Sequence, residues 1–292
     1  MKKILKILFL AAVMLAVACA ASAEETVTIG GKDFDASLEV LDLDEAGVVV
    51  KNDIAEVEAA VLKMPALKEV RMYKSTLTHE QMDHLFDTYP DVFFGWTLKI
   101  WPHVIRTDQT AFSTLHGNCP KENDGFHNSY NLSMLRYCKY MQGVDIGHNY
   151  LTDLSFLAEM PQIKVLIIAS NYRIVDISPL AALKDLEYLE IFATKVTDIS
   201  PLASCTKLRD LNMACVPGVT DLTPLDNLPL ERFMAAKVNV TKEQKAAFEA
   251  AHPDCRIDWT TMPSLGMWRQ PGSHYDTIYK MFHEMKYYPF ED

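Results

Sequence analysis

The sequence carries none of the short signatures of catalysis. It has no HExxH zinc motif, no G-x-S-x-G elbow, no Walker loop and no GxGxxG after a predicted strand. Basic residues are scarce as well. The 28 Lys and Arg stand against 39 Asp and Glu, for a net charge of −11. An acidic surface disfavours nucleic acid and anionic lipid, both of which need basic patches, and keeps a chain soluble. Cysteine usage gives no disulfide framework. Cys119, Cys138, Cys205, Cys215 and Cys255 follow Ala23, and an odd number leaves at least one thiol unpaired. After the first 23 residues no apolar stretch is long enough to span a bilayer.

The N-terminal 23 residues read as a secretory signal. Lys2, Lys3 and Lys6 precede an apolar run from Ile7 to Ala18, and Ala21-Ser22-Ala23 gives a small-x-small cleavage site. The mature chain is then expected outside the cell, with a net charge of −14 once those three lysines are gone. An alternative reading takes Leu15-Ala16-Val17-Ala18-Cys19 as an imperfect lipoprotein box, which would tether the protein through lipid on Cys19.

What the chain has instead is an apolar ladder with a 22- to 23-residue period. Met141, Ile163, Leu186, Leu208 and Leu230 open successive units. Apolar residues recur three and five positions later, as Leu189 and Ile191 or Leu211 and Met213. About ten residues on, Asp176-Ile-Ser-Pro-Leu returns at Asp198, with variants at Asp153 and Asp221. Such a period with an LxxLxLxxN-like core predicts an α/β leucine-rich-repeat solenoid. Parallel strands should line its concave face, with helical or 3₁₀ and turn returns on the convex side. The Asp-Ile-Ser-Pro-Leu phrase resembles internalin-type bacterial repeats over roughly residues 135–260, and the whole chain resembles secreted repeat proteins of gut Firmicutes-like bacteria. That resemblance implies a fold and a compartment and brings no catalytic residue with it.

A second duplication aligns Leu67–Thr97 with Leu230–Thr260 without a gap. Thr78 and Thr241 read as helix N-caps, each with Gln three residues on to complete a capping box, and Pro90 and Pro253 as stops. Asp53, with Glu56, reads as the box of an earlier helix. The predicted organisation is a signal at 1–23, longer repeats at 24–100, a hairpin-and-loop connection at 101–134, the array at 135–260 and a cap at 261–292. Residues 108–130 read as loop, and Trp268, Tyr275, Ile278, Tyr279, Phe282 and Met285 are spaced for an amphipathic capping helix. Cys138 and Cys205 occupy a core slot held elsewhere by Met160 and Leu183, so both are expected as buried thiols.

The sequence offers two candidate sites. His116, Cys119 and His127 are weak metal-ligand candidates, more simply read as loop residues, so no metal or cofactor is expected. The repeat register points alternate strand residues to the concave face. Val165, Ile167, Tyr188, Glu190, Phe192, Asp210, Asn212, Arg232 and Met234 then form a surface for a protein or peptide partner, anchored by Tyr188 and Phe192. On that reading Leu189→Asp unfolds the array and Glu190→Ala is tolerated; the competing reading has the tail or the 108–130 loop covering the face.

Overall fold

The computed structural model describes residues 26–51, 53–115, 127–261 and 266–291. Two compact units divide the chain after Thr97.

The first unit opens with an antiparallel pair, β1 (Thr26–Ile29) and β2 (Lys32–Asp35). Strand β3 (Val40–Asp42) leads through helix α1 (Ala55–Lys63) to β4 (Glu69–Arg71), then helix α2 (His79–Thr88) leads to β5 (Phe93–Gly95). The three strands pair in parallel with Leu41, Val70 and Phe94 in one inward row. Helix α2 starts with the expected box: Thr78 accepts from the Gln81 N–H, and Gln81 accepts from the Thr78 N–H at 2.9 Å. Helix α1 departs from expectation. Ile54 stands at its N-cap, Asp53 accepts only from the Ala55 N–H, and Glu56 turns away to accept from the Gly30 N–H at 2.7 Å. A backbone donor in the neighbouring β-turn competes for the carboxylate that the box would need.

The second unit begins with the paired strands β6 (Thr97–Ile100) and β7 (His103–Arg106). A seven-stranded, all-parallel sheet follows in sequence order: β8 (Ala111–Ser113), β9 (Gly143–Asp145), β10 (Val165–Ile167), β11 (Tyr188–Glu190), β12 (Asp210–Asn212), β13 (Arg232–Met234) and β14 (Arg256–Asp258). Phe112, Val144, Leu166, Leu189, Leu211 and Phe233 form its inward row, each fully buried. Burying a side chain of this size stabilises by roughly 1.5–3 kcal/mol. Strand β8 corrects the loop expected over 108–130. Three residues are too few to show a repeat period, yet Phe112 continues the row beside Val144.

The return segments explain the recurring phrase. Asp153, Asp176, Asp198 and Asp221 each accept from the N–H two residues on, at 2.7–2.9 Å. Each Asp thereby fixes the start of a 3₁₀ turn, at Ser155–Glu159, Ser178–Ala182, Ser200–Ser204 and Thr223–Leu225. Proline at the first positions of the last three is tolerated because those N–H groups need no partner inside the turn. After each of β9 to β13 one non-glycine residue turns left-handed: His148, Ser170, Ala193, Cys215 and Lys237 have φ of 55–61°. Such a residue costs roughly 1–2 kcal/mol, and a bond offsets it. The N–H of His148, Ser170, Ala193 and Cys215 donates to a carbonyl of the next repeat at 2.7–3.0 Å. Asn149 and Asn171 close the same turns by donating to the carbonyls of Ile146 and Ile168.

These features make the second unit a leucine-rich-repeat solenoid. Its last repeat returns through helix α4 (Lys242–Ala251), numbered after the short α3 (Ser129–Leu132). The two aligned copies coincide residue for residue: β4, α2 and β5 map onto β13, α4 and β14, and both helices carry the full capping box. Cys138 and Cys205 are buried free thiols, as their core slot requires. Burial pushes the Cys205 thiol up to about 11. Helix α5 (His274–Glu284) follows a 3₁₀ turn at Gly266–Arg269, and no helix among the described residues is long and apolar enough to cross a membrane.

Candidate functional site on the outer sheet face

The residues expected on the concave face do lie together on the outer side of the sheet, and most of them are covered. Val165, Tyr188, Glu190, Asp210, Asn212, Arg232 and Met234 are all buried, whereas Ile167 and Phe192 are half-buried. The cover is the C-terminal segment. Trp268, Ile278, Met281, Phe282 and Phe290 pack with Val165, Tyr188, Ala214 and Met234 in one apolar cluster. The expectation of Tyr188 as an exposed anchor is therefore corrected: its ring lies 5.4 Å from Trp268 and 6.1 Å from Phe290. The aromatics that looked like a free contact surface form the receiving half of an intramolecular interface.

A buried ion pair fixes this cover. Arg232 donates to Asp210 through Nε at 2.9 Å and through Nη2 at 2.6 Å. His274 of α5 bonds the same carboxylate through Nδ1 at 2.6 Å. Arg232 also donates to the Trp268 carbonyl at 3.3 Å and sits over the Trp268 ring at 4.7 Å, while Phe290 stacks on His274 at 4.5 Å. Burial pushes the Asp210 carboxyl up, but the bonds from His274 and Arg232 outweigh it and hold the group below the usual carboxylate range. Burial likewise opposes the charge of Arg232, and the Asp210 bonds reverse that and raise its pKa.

Glu190 has the opposite balance. Its Oε1 accepts from the Tyr188 hydroxyl. Its Oε2 is buried without a hydrogen-bond partner, and so is the neighbouring Trp268 Nε1. Burial dominates and raises the Glu190 carboxyl despite help from Tyr188, Trp268 and the charge of Arg269. The expectation that Glu190→Ala is an innocuous surface change falls with its exposure, because removing the carboxylate strands the Tyr188 hydroxyl inside the interface.

Where α5 leaves the sheet uncovered, a cavity of about 150 Å³ remains at the C-terminal ends of β9–β11. The sheet supplies Asp145, Ile167, Glu190 and Phe192, and the C-terminal segment supplies Arg269, Tyr275, Tyr279 and Phe282. Three of the expected site residues, Ile167, Glu190 and Phe192, meet here; the other six lie under the cover. Asp145 is held by the Ser113 hydroxyl at 2.8 Å and the Gly147 N–H at 3.1 Å.

The cover has a signal in the sequence. Gly143, Ala169, Ala214 and Ala236 put small residues on the outer face, where a solvated sheet has no need of them. A Cβ on Gly143 would stand 2.4 Å from the Met281 sulfur, so glycine there admits α5. Of the metal candidates, His116 and Cys119 lie outside the described residues. His127 is buried with its ring 5.5 Å from His103, and burial, with the His103 charge, brings its pKa down to about 4. Among the described residues no group of three or more potential ligands could hold a metal ion.

No protein-family model matches this chain, and no curated protein does. Among solved structures it is similar to internalin C2 from Listeria monocytogenes, at 19% identity and a TM-score of 0.42, covering 86% of this chain and 92% of that one. It is also similar to an internalin, inlF, from the same species, at 13% identity and a TM-score of 0.38, covering 87% and 88%. A leucine-rich-repeat protein of Leptospira interrogans matches at 12% identity and a TM-score of 0.28, covering 68% and 74%.

Proposed function

We propose that this chain is a secreted or surface-tethered, non-enzymatic repeat protein that binds a protein or peptide partner. The binding place is the part of the outer sheet face left open beside α5, centred on Ile167, Glu190 and Phe192. The observation carrying this reading is the cavity there, walled by aromatic rings from both the sheet and the C-terminal segment, with the buried Glu190 side chain in its lining. Its surroundings suit a macromolecular contact better than a lone small molecule. In the returns that follow β9 and β10, Tyr150 and Tyr172 hold equivalent positions in consecutive repeats and are 49% and 62% exposed, with Arg173 over the Tyr150 ring. Tyrosine and arginine dominate the anchors of protein interfaces. Export rests on the N-terminal charge, apolar run and cleavage pattern, which lie outside the described residues.

A displayed random-peptide library panned on the full chain tests this. Enriched peptides should lose about tenfold or more in affinity for Phe192→Ala, since a truncated aromatic anchor costs roughly 2 kcal/mol. Peptides that bind both proteins equally, or no enrichment, would overturn the assignment.

A further inference from the structure

We infer that the cavity beside α5 receives an organic cation, in the form of the side-chain ammonium of a lysine presented by the partner. This rests on the binding reading above and names the chemistry that the pocket would recognise. The lining is polarised. Glu190 and Asp145, both buried, provide two carboxyl groups, and the side chains of Arg269 and His148 are exposed. The Glu190 Oε2 is the less satisfied group: Oε1 is held by Tyr188, while Oε2 makes no completed hydrogen bond, with the Trp268 indole near enough to favour its charge. A buried carboxylate oxygen without a donor costs free energy that an incoming N–H recovers.

The walls add a second, independent preference. Phe192, Tyr275, Tyr279 and Phe282 line the same space, and aromatic faces attract cations. Tyr275 already displays this: the Arg269 guanidinium sits 5.1 Å from its ring centre, with its side chain exposed. Arg269 thus acts as a displaceable occupant that an incoming cation must compete with. Size decides among cations. A cavity of about 150 Å³ holds a group of about six heavy atoms, which fits a lysine stem and ammonium but not a folded element.

The test uses the full chain and three probes in calorimetric titration: Nα-acetyl-lysine methylamide, its neutral counterpart Nα-acetyl-norleucine methylamide, and n-butylamine. The lysine compound should bind, and the norleucine compound should bind at least tenfold more weakly, the factor expected for one charge-assisted bond. Glu190→Gln, with its melting temperature recorded alongside, should abolish that preference. Arg269→Met should tighten lysine binding, a gain that no loss of folding produces. Equal binding of the two amides, or an undiminished preference in Glu190→Gln, overturns the inference. So does n-butylamine binding as tightly as the lysine compound, which would assign the pocket to free amines. Failure here is separable from failure of the function. Selected peptides that depend on Phe192 but lack lysine leave the binding surface standing without its cation. Lysine binding with no selected peptides does the reverse.

Discussion

Strands β4 and β13 are the same strand in two settings. Each follows the same ladder leucine and leads into a helix opened by the same Thr–Gln box, and each buries its middle residue, Val70 or Phe233. Their outer faces differ completely. On β4, Arg71 is exposed and pairs with Glu69 at 2.8 Å and Asp42 at 3.4 Å in contact with solvent. On β13, Arg232 and Met234 are 4% and 0% exposed, and Arg232 pairs with Asp210 beneath Trp268. Local sequence sets the repeat, whereas a segment distant in the chain sets what its outer face is for. The same arginine–carboxylate chemistry is a minor surface contact in one copy and an obligatory part of a packed interface in the other.

The inward row should be the most sensitive element. Leu189→Asp places an unpaired charge at a fully buried position and should cost several kcal/mol, abolishing cooperative unfolding of the second unit in urea. Next comes the direct test of the two settings. Arg232→Ala leaves the buried Asp210 with His274 as its remaining partner and should cost about 3 kcal/mol, while Arg71→Ala should cost no more than about 1 kcal/mol. Equal losses would mean that the cover over β13 contributes nothing. Gly143→Ala should cost about 1–3 kcal/mol, since its Cβ must displace Met281 of α5. Combining it with Met281→Ala should relieve part of that loss, giving non-additive unfolding energies.

The smallest expected effect depends on pH and separates the two buried acids. Asp210 has a lowered pKa, so its stabilisation is present above the unfolded value of about 3.9 and is lost as pH falls through the folded value. Glu190 has a raised pKa, so the folded state holds a proton that the unfolded state releases from about pH 4.3 upward. Its contribution therefore worsens as pH rises toward the folded value. Glu190→Gln should melt at or above the wild-type temperature at neutral pH, and that advantage should vanish near pH 4. An advantage that grows toward low pH would show the sign to be wrong.

Much of this fold is legible in the sequence, and for a physical reason. The inward row, the Asp-x-Ser/Thr turns and the two capping boxes are satisfied within one repeat or between neighbours, so a fixed period exposes them. Strand β8 lacks that period, and the Glu56 carboxylate is diverted by a β-turn 26 residues away, so neither is readable locally. The site was half legible. Alternation placed Glu190, Ile167 and Phe192 on one face correctly, but burial of Tyr188 and Met234 depends on Trp268, Met281 and Phe290, which belong to no repeat. The small residues at Gly143, Ala169, Ala214 and Ala236 were the available signal, because an uncovered sheet does not require them.

Hydroxyl-radical footprinting of the intact chain, read residue by residue by mass spectrometry, addresses the cover most directly. Tyr188, Met234, Trp268 and Met281 should be protected together, while Tyr172 and Trp101, 62% and 76% exposed, are modified rapidly. Modification of Tyr188 and Met234 as fast as Tyr172 would contradict the account, because the outer sheet face would then be open and the C-terminal segment elsewhere.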